Sequence, residues 1–189
     1  MRVIAGSLRG RRLSAPSGRD TRPTSDRVRE ALFSMLGDID DMRVLDLFAG
    51  TGALGIEALS RGAAQALFVE LEHAALRALR GNLDALGLAA PQAAVRAGDA
   101  LAVLRDARNE RETYDLVFVD PPYARAGELE SPLARLLPGV LESSGGRVVV
   151  ESDRRAPLKL PLEPLRERRY GDTLIAIYGN MSSREGAQV

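Results

Sequence analysis

From residue 43 onward the chain alternates short apolar runs with longer stretches of helical periodicity, a rhythm that few folds accept. The spacing predicts strands over 43–48, 66–71, 93–97, 115–120 and 146–151, and helices over 53–61, 73–86, 100–108 and most of 129–141. Two more strands, 166–170 and 173–178, are separated only by Gly171-Asp172. Strands that alternate with helices join through right-handed crossovers and pair mainly in parallel, with helices on both faces. Leu116-Val117-Phe118-Val119 does not alternate with polar residues, as expected of a strand covered on both sides. The tight turn at 171–172 makes the last two strands an antiparallel hairpin. The expected fold class is therefore α/β, a seven-stranded, mainly parallel sheet that ends in a C-terminal antiparallel hairpin.

The first strand runs into Asp46-Leu47-Phe48-Ala49-Gly50-Thr51-Gly52-Ala53-Leu54-Gly55. Glycines at 50 and 52 let the backbone turn sharply and approach a ligand, and the next helix aims its positive end at that ligand. Gly50, Gly52 and Gly55 satisfy the dinucleotide pattern G-x-G-x-x-G, which by itself does not choose a cofactor. Glu70 ends the second strand, where an acid accepts from ribose hydroxyls, and both NAD and S-adenosylmethionine have these. Two carboxylates favour the methyl donor. Asp46, beside the turn, suits a cationic amino-acid group and would repel a pyrophosphate. Asp99, after the third strand, can accept from an adenine amine, although it also suits a helix N-cap. The donor-binding candidates are Asp46, Phe48, Ala49, Gly50, Thr51, Gly52, Glu70, Leu71, Asp99 and Ala100.

The fourth strand leads directly into Asp120-Pro121-Pro122-Tyr123. Consecutive prolines remove two backbone donors and hold the chain extended. The carbonyl between them and the Asp120 carboxylate then form two rigid acceptors, and Tyr123 offers an aromatic face. An exocyclic amine attacks poorly because its lone pair is delocalised into the base. Two acceptors that hold its N–H bonds aim the lone pair and stabilise the developing positive charge. Asp120 can take the released proton, and Tyr123 can stack on a flipped base. Asp120, Pro121, Pro122 and Tyr123 are the catalytic candidates; a tight Asp-Pro turn is the plainer alternative.

Ahead of this core, residues 2–13 read as a short strand or hairpin and 14–24 as a loop. Val28, Ala31, Leu32, Met35 and Leu36 then mark an amphipathic helix, with Thr24 or Ser25 as N-cap and Gly37 as stop. The net charge is zero but unevenly spread. Residues 1–30 carry eight arginines and three acids, net +5, while the rest holds 18 basic and 23 acidic residues, net −5. A basic segment on an acidic body suits a polyanionic partner, and it also suits a solvated tail. The chain has no cysteine, which excludes disulfides, a thiol nucleophile and cysteine-ligated metal sites. No carboxylate or histidine cluster has metal-ligand spacing, so no metal is expected. His73, the one histidine, is assigned no role. Neither a signal peptide nor a membrane span is expected, and the location is read as cytoplasmic.

Asp-Pro-Pro-Tyr resembles the motif of amino methyltransferases, and the arrangement resembles the Rossmann-like class I methyltransferase fold with a short N-terminal extension. Nearly the whole chain resembles the RsmD family, bacterial 16S ribosomal RNA guanine-N2 methyltransferases of the small subunit. The segments that carry this are Arg2–Gly6 with Leu8–Leu13, Thr21–Phe33, Val44–Gly52, Asp120–Tyr123 and Tyr170–Thr173. Glu72-His73 departs from the expected pattern and leaves Glu70 as the safer ribose contact. The resemblance implies methyl transfer from S-adenosylmethionine, with S-adenosylhomocysteine as product, to guanine N2 in a partly or fully assembled 30S particle. It implies an extension over 1–37 for RNA contact, with Arg9, Arg11, Arg12, Arg22 and Arg27 as candidates, a methyltransferase domain over 38–180 and a flexible tail over 181–189.

Three other readings compete. A DNA adenine-N6 or protein-glutamine methyltransferase would use the same acceptor pair, but a DNA enzyme normally adds a recognition domain for which 189 residues leave little room. An NAD-dependent oxidoreductase rests on the glycine pattern alone and needs a substrate domain. A non-catalytic binding protein leaves Asp120–Tyr123 without a purpose.

Overall fold

Helix α1 (Asp26–Leu36) shows where the hydrophobic pattern holds and where it misleads. Ser25 caps it, its hydroxyl accepting from the Val28 amide, and Gly37 ends it. Its buried face is Arg29, Leu32, Phe33 and Leu36, while Val28, Ala31 and Met35 are only half-buried. The face is rotated because Arg29, fully buried, takes a core position. The computed structural model describes residues 1–16 and 25–180. The expectations for Arg22, for Thr24 as a cap and for the tail over 181–189 lie outside the described residues.

The chain divides into two compact units, Met1–Ala100 and Leu101–Val189. In the first, β1 (Arg43–Asp46), β2 (Gln65–Glu70) and β3 (Ala93–Ala97) pair in parallel in the order β3-β2-β1. Helices α2 (Ala53–Ser60) and α3 (His73–Leu86) form the crossovers. Gly55 lets α2 sit close on β2, because a Cβ there would fall 2.3 Å from the Phe68 ring. Residues 1–13 fold back on themselves, with Arg2 bridged to Arg12 and reciprocal bonds between Val3 and residues 10 and 11.

Helix α4 (Ala100–Glu110) leads into the second unit. There β4 (Leu116–Val119) and β5 (Arg147–Asp153) pair in parallel, and both are almost wholly buried, as the unbroken apolar run predicts. β7 (Thr173–Gly179) pairs antiparallel with β5, and β6 (Glu163–Tyr170) pairs antiparallel with β7 at the edge. The expected hairpin is present, with β6 outermost. β6 starts three residues earlier than the sequence pattern predicts, at Glu163, and has a register irregularity between Pro164 and Arg166. Proline is tolerated there because an edge strand has one side without ladder partners. The helix expected over 129–141 is α5 (Ala126–Leu136), followed by a 3-10 turn over Leu137–Gly139. Gly127 and Pro132 hid its early start, and Pro138, which has no N–H, ends its regular bonding. Among the described residues, no helix is long and apolar enough to cross a membrane.

Candidate functional site

In the first unit the structure gathers the donor-binding candidates around Glu70. Gly50 and Gly52 have φ of 55° and 84°, left-handed values that a side chain would strain, so the expected sharp turn is present. The Glu70 carboxylate accepts from three backbone amides, Gly50 at 2.8 Å, Leu71 at 2.8 Å and Glu72 at 2.7 Å. Its carbonyl accepts from Gly98 at 3.0 Å, directly before Asp99 and Ala100. Val69 accepts from Ala49 in the same way. One residue at the end of β2 thus fixes both the glycine-rich turn and the segment after β3. Phe48, Thr51 and Asp99 are half-buried, Ala49 and Ala100 are buried and Leu71 is exposed.

Asp46 is 2% exposed and accepts from the Gly55 amide at 3.0 Å, across the base of the glycine loop. Burial pushes its carboxyl up to about 7, the Gly55 bond pulls the other way and the Glu70 charge adds to the rise. A carboxyl raised in this way keeps its proton in the folded protein and loses it near 3.8 in the unfolded chain. Its contribution to stability therefore falls as pH rises from about 4 to about 7. An adjacent cation would reverse that penalty. A Cβ built on Gly50 or on Gly98 meets no atom within 4 Å, so the protein's own packing does not cover the backbone at either glycine. Open space beside two carboxylates and a left-handed glycine turn fits the cationic, ribose-bearing methyl donor.

The residues that sequence reasoning missed tie the N-terminal segment to this loop. Glu57 on α2, fully buried, accepts from the Ile4 amide at 2.7 Å, the Ala5 amide at 3.0 Å and Arg61 Nε at 2.7 Å. Arg29 Nε lies 3.9 Å from it. Arg29 also pairs with Asp26 at 3.0 Å and donates to the carbonyl of Arg2. Gly6 sits so close to Ser60 that a Cβ would fall 1.6 Å from its carbonyl oxygen. Asn82 on α3, 3% exposed, grips Ser14 through both backbone groups at 2.8 and 3.0 Å and donates to the Thr51 carbonyl at 2.9 Å. The sequence signal was a glutamate within Ala-Leu-Gly-Ile-Glu-Ala-Leu-Ser, an otherwise apolar helix. Of the RNA candidates, Arg9, Arg11, Arg12 and Arg27 are exposed. Arg11 donates to the Ala85 carbonyl at 2.6 Å.

In the second unit, Asp120 follows β4 directly and is half-buried; Pro121 is buried and Pro122 exposed. Pro122 is extended, with φ −53° and ψ 127°, and its carbonyl accepts from the Arg125 amide at 2.8 Å. The Pro122 carbonyl is thus committed to the turn over Tyr123–Arg125, which leaves the Pro121 carbonyl, between the two rings, as the candidate second acceptor. The Tyr123 ring is 49% exposed, and its hydroxyl lies 3.5 Å from Thr173 Oγ1. Burial raises its pKa above the usual phenol value, the Thr173 contact lowers it, and Glu151, Asp120 and Asp153 raise it further.

A family described as conserved hypothetical protein 95 matches residues 1–179. The ribosomal RNA small subunit methyltransferase D of Haemophilus influenzae is 35% identical over 183 residues, 95% of this chain and 94% of the relative. The protein of the same name from Escherichia coli K12 is 41% identical over 150 residues, 77% of this chain and 68% of the relative. A solved structure of a hypothetical protein from Thermus thermophilus has a TM-score of 0.81 at 33% identity, covering 94% of this chain and 98% of that one.

Proposed function

We propose that this chain, which belongs to the conserved hypothetical protein 95 family of RsmD-type small-subunit ribosomal RNA methyltransferases, methylates the exocyclic N2 of a guanine in that RNA. The observation that carries the amine as target is Asp120-Pro121-Pro122-Tyr123 directly after β4, with Pro122 extended and Tyr123 exposed. Bound S-adenosylmethionine supplies an electrophilic methyl group on a sulfonium. Asp46 holds the donor's ammonium, Glu70 its ribose and Asp99 its adenine amine, with Phe48, Ala49, Gly50, Thr51, Gly52, Leu71 and Ala100 lining the same turn. Asp120 and the Pro121 carbonyl accept the two N–H bonds of the amine and aim its lone pair. Tyr123 stacks on the extruded base, and Asp120 takes the proton released from nitrogen. Arg9, Arg11, Arg12 and Arg27 supply phosphate contacts. The partner is a partly or fully assembled small subunit, in the cytoplasm. Labelled methyl transfer to small subunits, naked ribosomal RNA and DNA in parallel tests this reading: label in DNA alone rejects it.

Glu70→Ala should weaken donor binding by about 10- to 100-fold, because it removes the ribose acceptor and the bond that holds Gly50 in place. Glu72→Ala should cost less than about threefold. Calorimetry with equal losses for the two would remove the assignment of Glu70.

Donor binding should also strengthen as pH rises through about 7 and level off above it, because the ammonium needs Asp46 as the carboxylate. Below that pH, binding must release the Asp46 proton. Titrations in two buffers of different ionisation enthalpy would count it, and Asp46→Asn should abolish the release. Donor binding in the wild type without proton release would show that the ammonium does not use this carboxyl.

A further inference from the structure

The Tyr123 hydroxyl touches Thr173, the first residue of β7, and that contact picks out one face of the sheet. Side chains alternate along a strand, so Thr173, Ile175 and Ile177 share this face and Leu174 and Ala176 take the other. Pairing carries the face outward to the edge strand, with Tyr170 opposite Thr173, Arg168 opposite Ile175 and Arg166 opposite Ile177. It carries inward to β5, with Asp153 opposite Thr173 and Glu151 opposite Ile175. Directly opposed side chains stand about 5 Å apart, and Arg168 follows Tyr170 at about 7 Å along the strand.

The second face of β6 is different. Glu167 and Arg169 lie there, opposite Ala176 and Leu174, and they pair with each other at 3.6 Å. Their charges cancel, whereas the Tyr123 face of the strand carries Arg166, Arg168 and Tyr170, with one acid, Glu163 opposite Gly179, at its far end. Charges on an edge strand also prevent strand-to-strand aggregation, but that purpose does not require sorting by face. Near Tyr123 itself the charge is negative, from Glu151, Asp153 and Asp120. A phosphate backbone attached to a base on Tyr123 is repelled from those carboxylates and drawn to the edge.

We propose that the Tyr123 face of β6 is a second contact surface for single-stranded RNA flanking the target base, with Arg166 and Arg168 on phosphates and the Tyr170 ring under a neighbouring base. Aromatic platforms interleaved with cations are what sequence-tolerant single-strand binding uses. The inference rests on the amine-methylation reading of Tyr123 and adds a surface outside the basic N-terminal segment.

Arg168 and Arg169 are neighbours on opposite faces, so Arg168→Glu and Arg169→Glu change the net charge equally on different faces, the second also breaking the exposed pair with Glu167. Binding of unmethylated small ribosomal subunits is measured at several salt concentrations, with donor affinity measured alongside to certify the fold. Arg168→Glu should weaken subunit binding about tenfold and flatten the log–log salt slope by about one. Arg169→Glu should stay within about twofold of wild type, and Arg168→Lys should restore binding. Equal losses for the two reversals, or none for Arg168→Glu, would overturn the proposal, as would a dimer that Arg168→Glu dissociates. Binding is read independently of transfer. A wild-type protein that binds subunits without methylating them would reject the proposed reaction and leave this comparison decisive for the surface.

Discussion

Asp120→Ala should slow single-turnover methylation of small subunits roughly 100-fold at saturating donor, with donor affinity unchanged. Asp120 follows β4, in the second unit, while the residues proposed to bind the donor lie in the first. In the proposed mechanism the substitution removes one of the two acceptors for the amine and the sink for its proton. Loss of one oriented acceptor at a centre of developing charge costs ~3 kcal/mol of transition-state stabilisation. Asp120→Asn should be milder, because the amide oxygen still accepts. Tyr123→Ala should be impaired through lost stacking. Tyr123→Phe should be largely tolerated, because the hydroxyl's 3.5 Å contact with Thr173 is at the outer limit of a hydrogen bond. A near-normal rate for Asp120→Ala would refute the proposed mechanism, and a Tyr123→Phe enzyme as slow as Tyr123→Ala would assign the hydroxyl a role of its own.

Glu57→Ala should be the most destabilising single change in the first unit, costing about 3–5 kcal/mol. It leaves the buried Arg29 guanidinium with Asp26 as its one remaining carboxylate among the described residues, where its Nε already lacks a hydrogen-bond partner, and it orphans the Ile4 and Ala5 amides. Removing one member of a buried charge cluster costs far more than losing a surface pair, because the remaining charge stays desolvated. Urea unfolding would measure it. Glu57→Gln should fall between the two proteins, since the amide still accepts but does not neutralise Arg29. A loss under about 1 kcal/mol for Glu57→Ala would show that the N-terminal segment is held by other contacts.

The parts of this molecule that were legible in the sequence are those that local chemistry dictates. Gly50 and Gly52 adopt left-handed backbone because no other residue does so at low cost, and the turn could be read from them directly. The apolar run Leu116–Val119 could only be a covered strand, and Asp120–Tyr123 could be placed at its end. What stayed hidden depends on distant partners. Arg29 counts as a surface charge in any one-dimensional reading. It is buried because Asp26, Glu57 and the Arg2 carbonyl converge on it from separate parts of the chain. Asn82 looked like an ordinary helix residue, yet it joins Ser14 to Thr51. The sequence pattern on α1 misplaced the buried face for the same reason. Arg11, read as an RNA contact, donates to a helix carbonyl, which sets its direction without removing its charge.

Methyl transfer to a guanine amine of small-subunit ribosomal RNA is read most directly from the identity of the methylated nucleoside. Unmethylated small subunits are incubated with the wild-type protein and isotope-labelled S-adenosylmethionine, and the RNA is digested to nucleosides and separated by mass. Label should appear in N2-methylguanosine, at about one methyl per particle, and fall to background with Asp120→Ala. Label in N6-methyladenosine or in a ribose-methylated nucleoside, or none above background, would contradict the proposed reaction.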